Sequence, residues 1–120
     1  MTTISKNNQC ITFINVFKVD PSNQLKLIEI LTDVTNKIVR HKDGFISSAL
    51  HRSSDGAKVT MYAQWKNLDL YNKMRDDKKA NEGFKDAVAI AEFDGSMYEV
   101  VEEFTFISDD VAVENHETTN

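Results

Sequence analysis

The feature that most constrains the fold of this 120-residue chain is the order of its strand-like and helix-like hydrophobic patterns. Stretches rich in β-branched and aromatic residues, typical of strands, lie at 10–19, 45–52, 58–65 and about 97–107. Apolar residues at helical spacing occupy residues 22–41 and, in two parts, the region 67–91. This order matches the split βαβ, ferredoxin-like arrangement. We therefore predict an α+β domain whose four-stranded antiparallel sheet carries its helices on one face.

Local signals mark the ends of the predicted helices. Asp20 or Ser22 can cap the first helix, with Pro21 in its first turn. Gly44 follows a basic stretch and predicts the end of that helix. Asn67 predicts the cap of the second helical segment.

Two turns are predicted around the strands. Residues 53–56 end in Asp-Gly and predict a short hairpin turn, and Asp94-Gly95 predicts a turn into the last strand. Strict alternation predicts, on each of the two hairpin strands, a set of residues that share one face. One set is Phe45, Ser47, Ala49 and His51, and the other is Val59, Met61, Ala63 and Trp65.

The face of the sheet away from the helices is also apolar. Ile46, Leu50 and Tyr62 are candidates for it, and such a surface is unfavourable when left in water. A second copy of the chain would cover it, so we expect a homodimer through the sheet face.

The net charge of −5 is distributed unevenly along the chain. Residues 109–120 contain four acidic and no basic residues, which leaves a charge of −1 for residues 1–108. We predict a flexible N-terminus at 1–8, one domain at 9–108 and a disordered acidic tail at 109–120. The missing basic face argues against a nucleic-acid partner.

Several other sites and locations are not favoured by the sequence. No run of 18 apolar residues indicates a membrane span, and the first residues lack the apolar stretch of a signal peptide, so a cytoplasmic location is predicted. One cysteine and three separated histidines predict neither a disulfide nor a metal centre.

The chemistry-bearing residues are few and include His51, Trp65 and Tyr71, with Asn15 and Lys85 as further candidates. Each also has a plainer explanation: Trp65 can fill the core, His51 can lie on the surface beside a turn, and Lys85 can be solvated. Asn15 is the most unusual of them, because it lies on an otherwise apolar strand face and its amide needs hydrogen-bond partners.

Four motifs occur in a characteristic order: Asp20-Pro21, Gly44-Phe45-Ile46, His51-Arg52-Ser53 followed by Asp55-Gly56, and Tyr62-Ala63-Gln64-Trp65. With Tyr98-Glu99-Val100, they make residues 10–105 similar to the antibiotic biosynthesis monooxygenase domains of the dimeric α/β-barrel superfamily. The resemblance implies oxidation of a small aromatic, polyketide- or quinol-like compound by molecular oxygen as co-substrate, without flavin, haem or metal.

The resemblance also implies roles for individual residues. The pocket histidine, tryptophan and helix tyrosine of the family fall on His51, Trp65 and Tyr71, which we expect to be catalytic. A strand asparagine is replaced by Met61 and a pocket arginine by Lys85, so these two are expected, with Asn15, to contact the substrate.

Two alternatives remain beside the monooxygenase. The same dimeric fold could bind a small apolar ligand without transforming it, which the loss of an asparagine at Met61 favours. Haem degradation, found in a related branch, is not favoured, because Phe84 stands where the iron-binding histidine would lie.

Overall fold

The computed structural model describes residues 2–109 of the chain. The strands are β1 (Ile11–Val19), β2 (Phe45–Arg52), β3 (Lys58–Trp65) and β4 (Ala91–Tyr98), and the helices are α1 (Gln24–Lys37), α2 (Leu68–Arg75) and α3 (Lys78–Ile90). The strands form one antiparallel sheet in the order β2-β3-β1-β4. The predicted ferredoxin-like α+β fold is therefore confirmed.

The core lies between the sheet and the helices. Leu27 and Leu31 of α1 are fully buried, as is Val59 of β3. Burying side chains of this size stabilises a fold by about 1.5–3 kcal/mol each. α3 meets α1 through small residues, and a Cβ at Gly83 would overlap Val34 of α1. The close approach of these two helices holds α3 over the sheet.

The predicted caps are present, but the first helix is divided. Asp20 Oδ1 accepts the Ser22 backbone N–H at 2.9 Å, and a short 3₁₀ turn (Pro21–Asn23) precedes α1. The chain leaves α-helical geometry at Ile38 and makes a second 3₁₀ turn (Val39–His41), so the single helix predicted at 22–41 is wrong in its C-terminal part. Gly44, with φ +91°, ends this region as predicted.

The predicted last strand at 97–107 is wrong. β4 begins directly after α3 and ends at Tyr98, so Asp94-Gly95 lies inside the strand rather than in a turn. Gly95 pairs with Asn15 of β1, and a Cβ at Gly95 would overlap the Asn15 side chain. The missing Cβ of Gly95 therefore leaves room for a side chain of the neighbouring strand, which is one common reason for a glycine inside a strand.

The N-terminal residues lie against the sheet face that is turned away from the helices, here called the outer face. Gln64 Nε2 donates to the Thr3 carbonyl at 2.6 Å, and Ser47 Oγ donates to Gln64 Oε1 at 2.9 Å. The flexibility predicted for 1–8 stays a prediction, and the tail prediction falls almost wholly outside the described residues. Across residues 2–109, no helix is long and apolar enough to cross a membrane.

Candidate active site

A cavity of about 530 Å³ lies between the sheet and the helices. Its floor comes from β1, β2 and β3, its walls come from α1, α2 and α3, and Phe93 of β4 closes one side. Volumes of this order are typical of sites for small organic ligands. Five of the six residues predicted for the site line this cavity: Asn15, Met61, Trp65, Tyr71 and Lys85.

Asn15 places an amide in the floor of the cavity. It pairs with Met61 of β3 on one side and with Gly95 of β4 on the other. Its Oδ1 is buried near Gly95 and receives no hydrogen bond. The Nδ2 group is not among the fully buried atoms and makes no hydrogen bond within residues 2–109, so it is an available donor at the cavity surface.

Four aromatic rings pack together at one side of the cavity, and three of them, Phe45, Trp65 and Tyr71, line it. The Tyr71 ring stacks on Phe13 with centroids 3.6 Å apart, and it meets Trp65 edge-on at 5.7 Å. Trp65 in turn meets Phe45 edge-on at 5.5 Å. Trp65 is only 1 % exposed, so its faces are covered by protein rather than open to a ligand ring. The indole supports Tyr71 and Phe45, which is the core function weighed above for this residue.

The Tyr71 hydroxyl is oriented by Arg75, one turn later on α2. Arg75 Nη1 donates to Tyr71 Oη at 3.3 Å, and the guanidinium carbon lies 5.7 Å from the centroid of the tyrosine ring. Because Tyr71 accepts from Arg75, its own O–H remains free to donate to another oxygen. Asn67 fixes the start of this helix by accepting the Leu70 backbone N–H at 2.9 Å.

Met61 and Lys85 occupy different depths of the cavity. Met61 is buried in the floor and offers a polarizable thioether instead of a hydrogen-bonding group. Lys85, on α3, is exposed at the mouth. The mouth also carries Arg75 and Glu82, so its charged groups come from two helices.

The predicted position of His51 in this cavity is wrong. A β-bulge between Phe45 and Ser47 shifts the register of β2 against β3. The side chains of β2 therefore do not alternate strictly between the two faces of the sheet. Ser48 therefore pairs with Ala63 on the helix side, whereas His51 pairs with Thr60 and is exposed on the outer face. A one-residue shift moves every later side chain of a strand to the other face.

Five polar residues that line the cavity were not predicted from the sequence: Thr35, Ser48, Arg75, Asn81 and Glu82. Thr35 lies four residues after Leu31 on α1, so its position on the inner face of that helix was readable from helical spacing. Arg75 lies four residues after Tyr71 and was readable in the same way. Ser48 was not, because its orientation depends on the bulge.

The carboxylates whose pKa is lowered by their surroundings lie outside the cavity. The hydrogen bond from Lys42 and the α3 backbone N–H of Ala80 lower the pKa of Asp77. Hydrogen bonds from Ser22 similarly lower the pKa of Asp20. In residues 2–109, no three His, Cys, Asp or Glu side chains gather in a way that could hold a metal ion.

Comparison with known proteins relates the sequence of this chain to a family of monooxygenases. The profile of the antibiotic biosynthesis monooxygenase family matches residues 10–90. Tetracenomycin-F1 monooxygenase from Streptomyces glaucescens is 38% identical over 84 residues, which cover 70% of this chain and 75% of that protein.

Solved structures show the same fold at lower identity. SnoaB, a cofactor-independent oxygenase from Streptomyces nogalater, superposes with a TM-score of 0.69 at 16% identity, over 80% of this chain and 97% of that one. A monooxygenase of Streptomyces coelicolor in complex with nanaomycin D gives a TM-score of 0.73 at 23% identity, over 86% and 99% of the two chains.

Proposed function

Because the chain belongs to the antibiotic biosynthesis monooxygenase family, we propose that it oxidises a small electron-rich aromatic compound with molecular oxygen and no cofactor. The observation that carries this proposal is the cavity of about 530 Å³, whose mainly apolar and aromatic lining carries polar groups at defined positions. An anthrone or a hydroquinone has the size and polarity that such a lining accepts.

The substrate supplies the electrons for this reaction. In an anthrone, loss of a proton from the central methylene gives an anion that reduces oxygen and combines with it as a hydroperoxide. Loss of water from the hydroperoxide then leaves a carbonyl where the methylene was. One oxygen molecule gives one quinone oxygen and one water, so no outside reductant is needed.

Tyr71 and Asn15 stabilise the anion that starts this sequence. The Tyr71 O–H and the Asn15 Nδ2 group both donate into the cavity, where charge develops on the substrate oxygen. Positioned donors act more strongly beside an apolar lining than they do in bulk water. Trp65 is a positioning residue that holds Tyr71, and Met61 presents an apolar surface to the ring.

The substrate proton passes to water at the open mouth of the cavity. His51 lies on the other side of the sheet and does not serve as a base here. Arg75 and Lys85 at the mouth favour the anionic form of the substrate electrostatically and so lower its pKa. The catalytic groups are therefore the two donors, Tyr71 and Asn15, and deprotonation depends on the acidity of the substrate itself.

A homodimer through the outer face is a separate part of the proposal. Tyr98, on this face of β4, is 51% exposed, and the chain beyond it leaves Val101, Phe104 and Phe106 at least 80% exposed. Large apolar side chains in this number favour a protein partner, and the self-complementary partner is a second copy. Light scattering at micromolar concentration should give twice 13.7 kDa, and a monomer mass would refute the dimer.

Oxygen uptake with anthrones and hydroquinones tests the activity. The wild type should consume oxygen faster than the enzyme-free background, and Tyr71→Phe should reduce the enzymatic rate by about ten- to hundredfold, since one donor to the anion is lost. Tyr62→Phe removes a hydroxyl on the outer face and should leave the rate unchanged. Uptake at the background rate by the wild type would refute the proposal.

A binding module without turnover is the second candidate function. The position of His51 outside the cavity and the thioether of Met61 in its floor favour it, because both reduce the acid–base groups available for chemistry. A thermal-shift measurement in the same samples separates the two. A rise in Tm without oxygen uptake or product supports binding, and product formation refutes the binding module.

A further inference from the structure

Two cations from different helices stand at the cavity mouth. Arg75 ends α2 and Lys85 lies in the middle of α3, and both line the cavity while remaining exposed. Within residues 2–109, the ion pairs join Lys6 to Glu102, Lys37 to Asp33 and Lys42 to Asp77. Neither Arg75 nor Lys85 is therefore paired with a carboxylate in the part of the chain that the structure describes.

One carboxylate shares the mouth with these cations. Glu82 lines the cavity on the same helix as Lys85 but forms no ion pair with either cation in the described residues. The mouth therefore combines two positive charges with one negative charge, in a chain whose total charge is −5. A local positive excess in an acidic protein favours an anion, and an excess of one favours a monoanion.

The geometry of Arg75 leaves most of its donors available. One guanidinium N–H is directed to the Tyr71 hydroxyl, and no other hydrogen bond occupies the group within residues 2–109. A guanidinium has five N–H donors in a planar fork that matches a carboxylate. Its position over the Tyr71 ring also restricts its motion, so the fork is held at the border between the cavity and solvent.

We propose that Arg75, assisted by Lys85, binds a carboxylate of the substrate, so that this protein acts on aromatic acids in preference to neutral aromatic compounds. This inference rests on the proposed function and names the substrate class for the same site. A carboxylate fits better than a phosphate ester, because the second negative charge of the ester would face Glu82.

A carboxylate at the mouth also sets the orientation of the ring. With its acid group on Arg75, the substrate extends into the cavity toward the floor that contains Asn15 and Met61. The Tyr71 O–H, whose oxygen already accepts from Arg75, then donates to a ring oxygen near the mouth. Arg75 thus determines specificity directly and orients the hydroxyl of a catalytic donor.

Equilibrium binding tests this inference without any turnover. Trp65 is the single tryptophan of the chain and lies in the cavity wall, so its fluorescence reports a bound aromatic ring. The probes are anthraquinone-2-carboxylate and its neutral carboxamide. The wild type should bind the carboxylate about tenfold more tightly, the effect of one charge-assisted hydrogen-bonded pair.

Two variants and a control complete the experiment. Arg75→Gln should reduce the carboxylate preference to less than about threefold, and Arg75→Lys should leave an intermediate preference because the charge stays and the fork is lost. Lys73→Gln removes the same charge from α2 outside the cavity lining and should retain the full preference. If Arg75→Gln does not fold, as judged by circular dichroism, Arg75→Lys carries the comparison.

Three outcomes would overturn the inference: equal affinity of the wild type for both probes, an unchanged preference in Arg75→Gln and Arg75→Lys, or an equal loss in Lys73→Gln. The last would mean that general charge rather than the mouth attracts the acid. Oxygen uptake separates the two proposals. A carboxylate preference without oxygen uptake refutes only the monooxygenase, and oxygen uptake without the preference refutes only this inference.

Discussion

Replacing Asn15 by leucine should make the protein more stable and less active at the same time. The Asn15 amide oxygen is buried without a hydrogen bond, and a group in this state costs the folded protein about 1–3 kcal/mol. Leucine has the same number of side-chain heavy atoms and no polar group, so it relieves that cost. At about 4 °C per kcal/mol for a domain of this size, the Tm should rise by several degrees.

The same change removes a donor that the proposed reaction uses. A hydrogen bond to a charged oxygen contributes about 1.5–3 kcal/mol, which corresponds to a rate loss of about ten- to 150-fold. Thermal melts and steady-state oxygen uptake on the same preparations measure the two effects. Their opposite signs separate a functional amide from a structural one, because loss of a structural amide lowers stability.

Asn72→Leu is the matched control for this experiment. Asn72 is exposed on α2, outside the cavity lining, so the same substitution there should raise the Tm by at most about 2 °C, through the higher helix propensity of leucine, and should not slow the reaction. A lower Tm for Asn15→Leu together with unchanged oxygen uptake would refute the reasoning. The amide would then be a structural group, and the cavity floor would have no role in the chemistry.

Three further predictions concern the elements that hold the site. Asn67→Ala removes the side-chain cap of α2 and should lower the free energy of unfolding by about 0.5–2 kcal/mol in urea titrations. The folded-state pKa of Asp77 is lowered by Lys42, so its carboxylate stabilises the fold above the unfolded pKa of about 3.9 and loses this effect as pH falls below it. The stability difference between wild type and Asp77→Asn should therefore shrink below about pH 4, and a constant difference would contradict the assignment. Gly95→Ala should push the Asn15 amide out of position and raise the Kd for an aromatic ligand, whereas an unchanged Kd would contradict the packing.

Much of the fold was predictable because its signals are local. The hairpin turn needs a positive φ at Gly56, and the sequence places an Asp-Gly pair there. The caps of Asp20 and Asn67 depend on side chains next to the helices they start. Tyr71 was expected in the pocket because the family resemblance places a helix tyrosine there, and it lines the cavity from α2.

The wrong predictions concern features that depend on contacts between residues distant in the sequence. The bulge between Phe45 and Ser47 depends on how β2 pairs with β3, and it alone moves His51 to the outer face. Asp94-Gly95 resembles a turn locally, yet it lies inside β4. There the absence of a Cβ at Gly95 leaves room for the Asn15 side chain of β1. Both are effects of a neighbouring strand, and neither can be derived from the residues of one segment.

Incorporation of isotopic oxygen tests the proposed monooxygenase activity most directly. The purified protein, with no added cofactor, is incubated with an anthrone under ¹⁸O₂, and the product is examined by mass spectrometry. We predict one ¹⁸O atom in each quinone formed, one oxygen molecule consumed per quinone, and a rate that falls with Tyr71→Phe. Quinone formed no faster than without protein, or at the same rate with Tyr71→Phe, would contradict catalysis in this cavity.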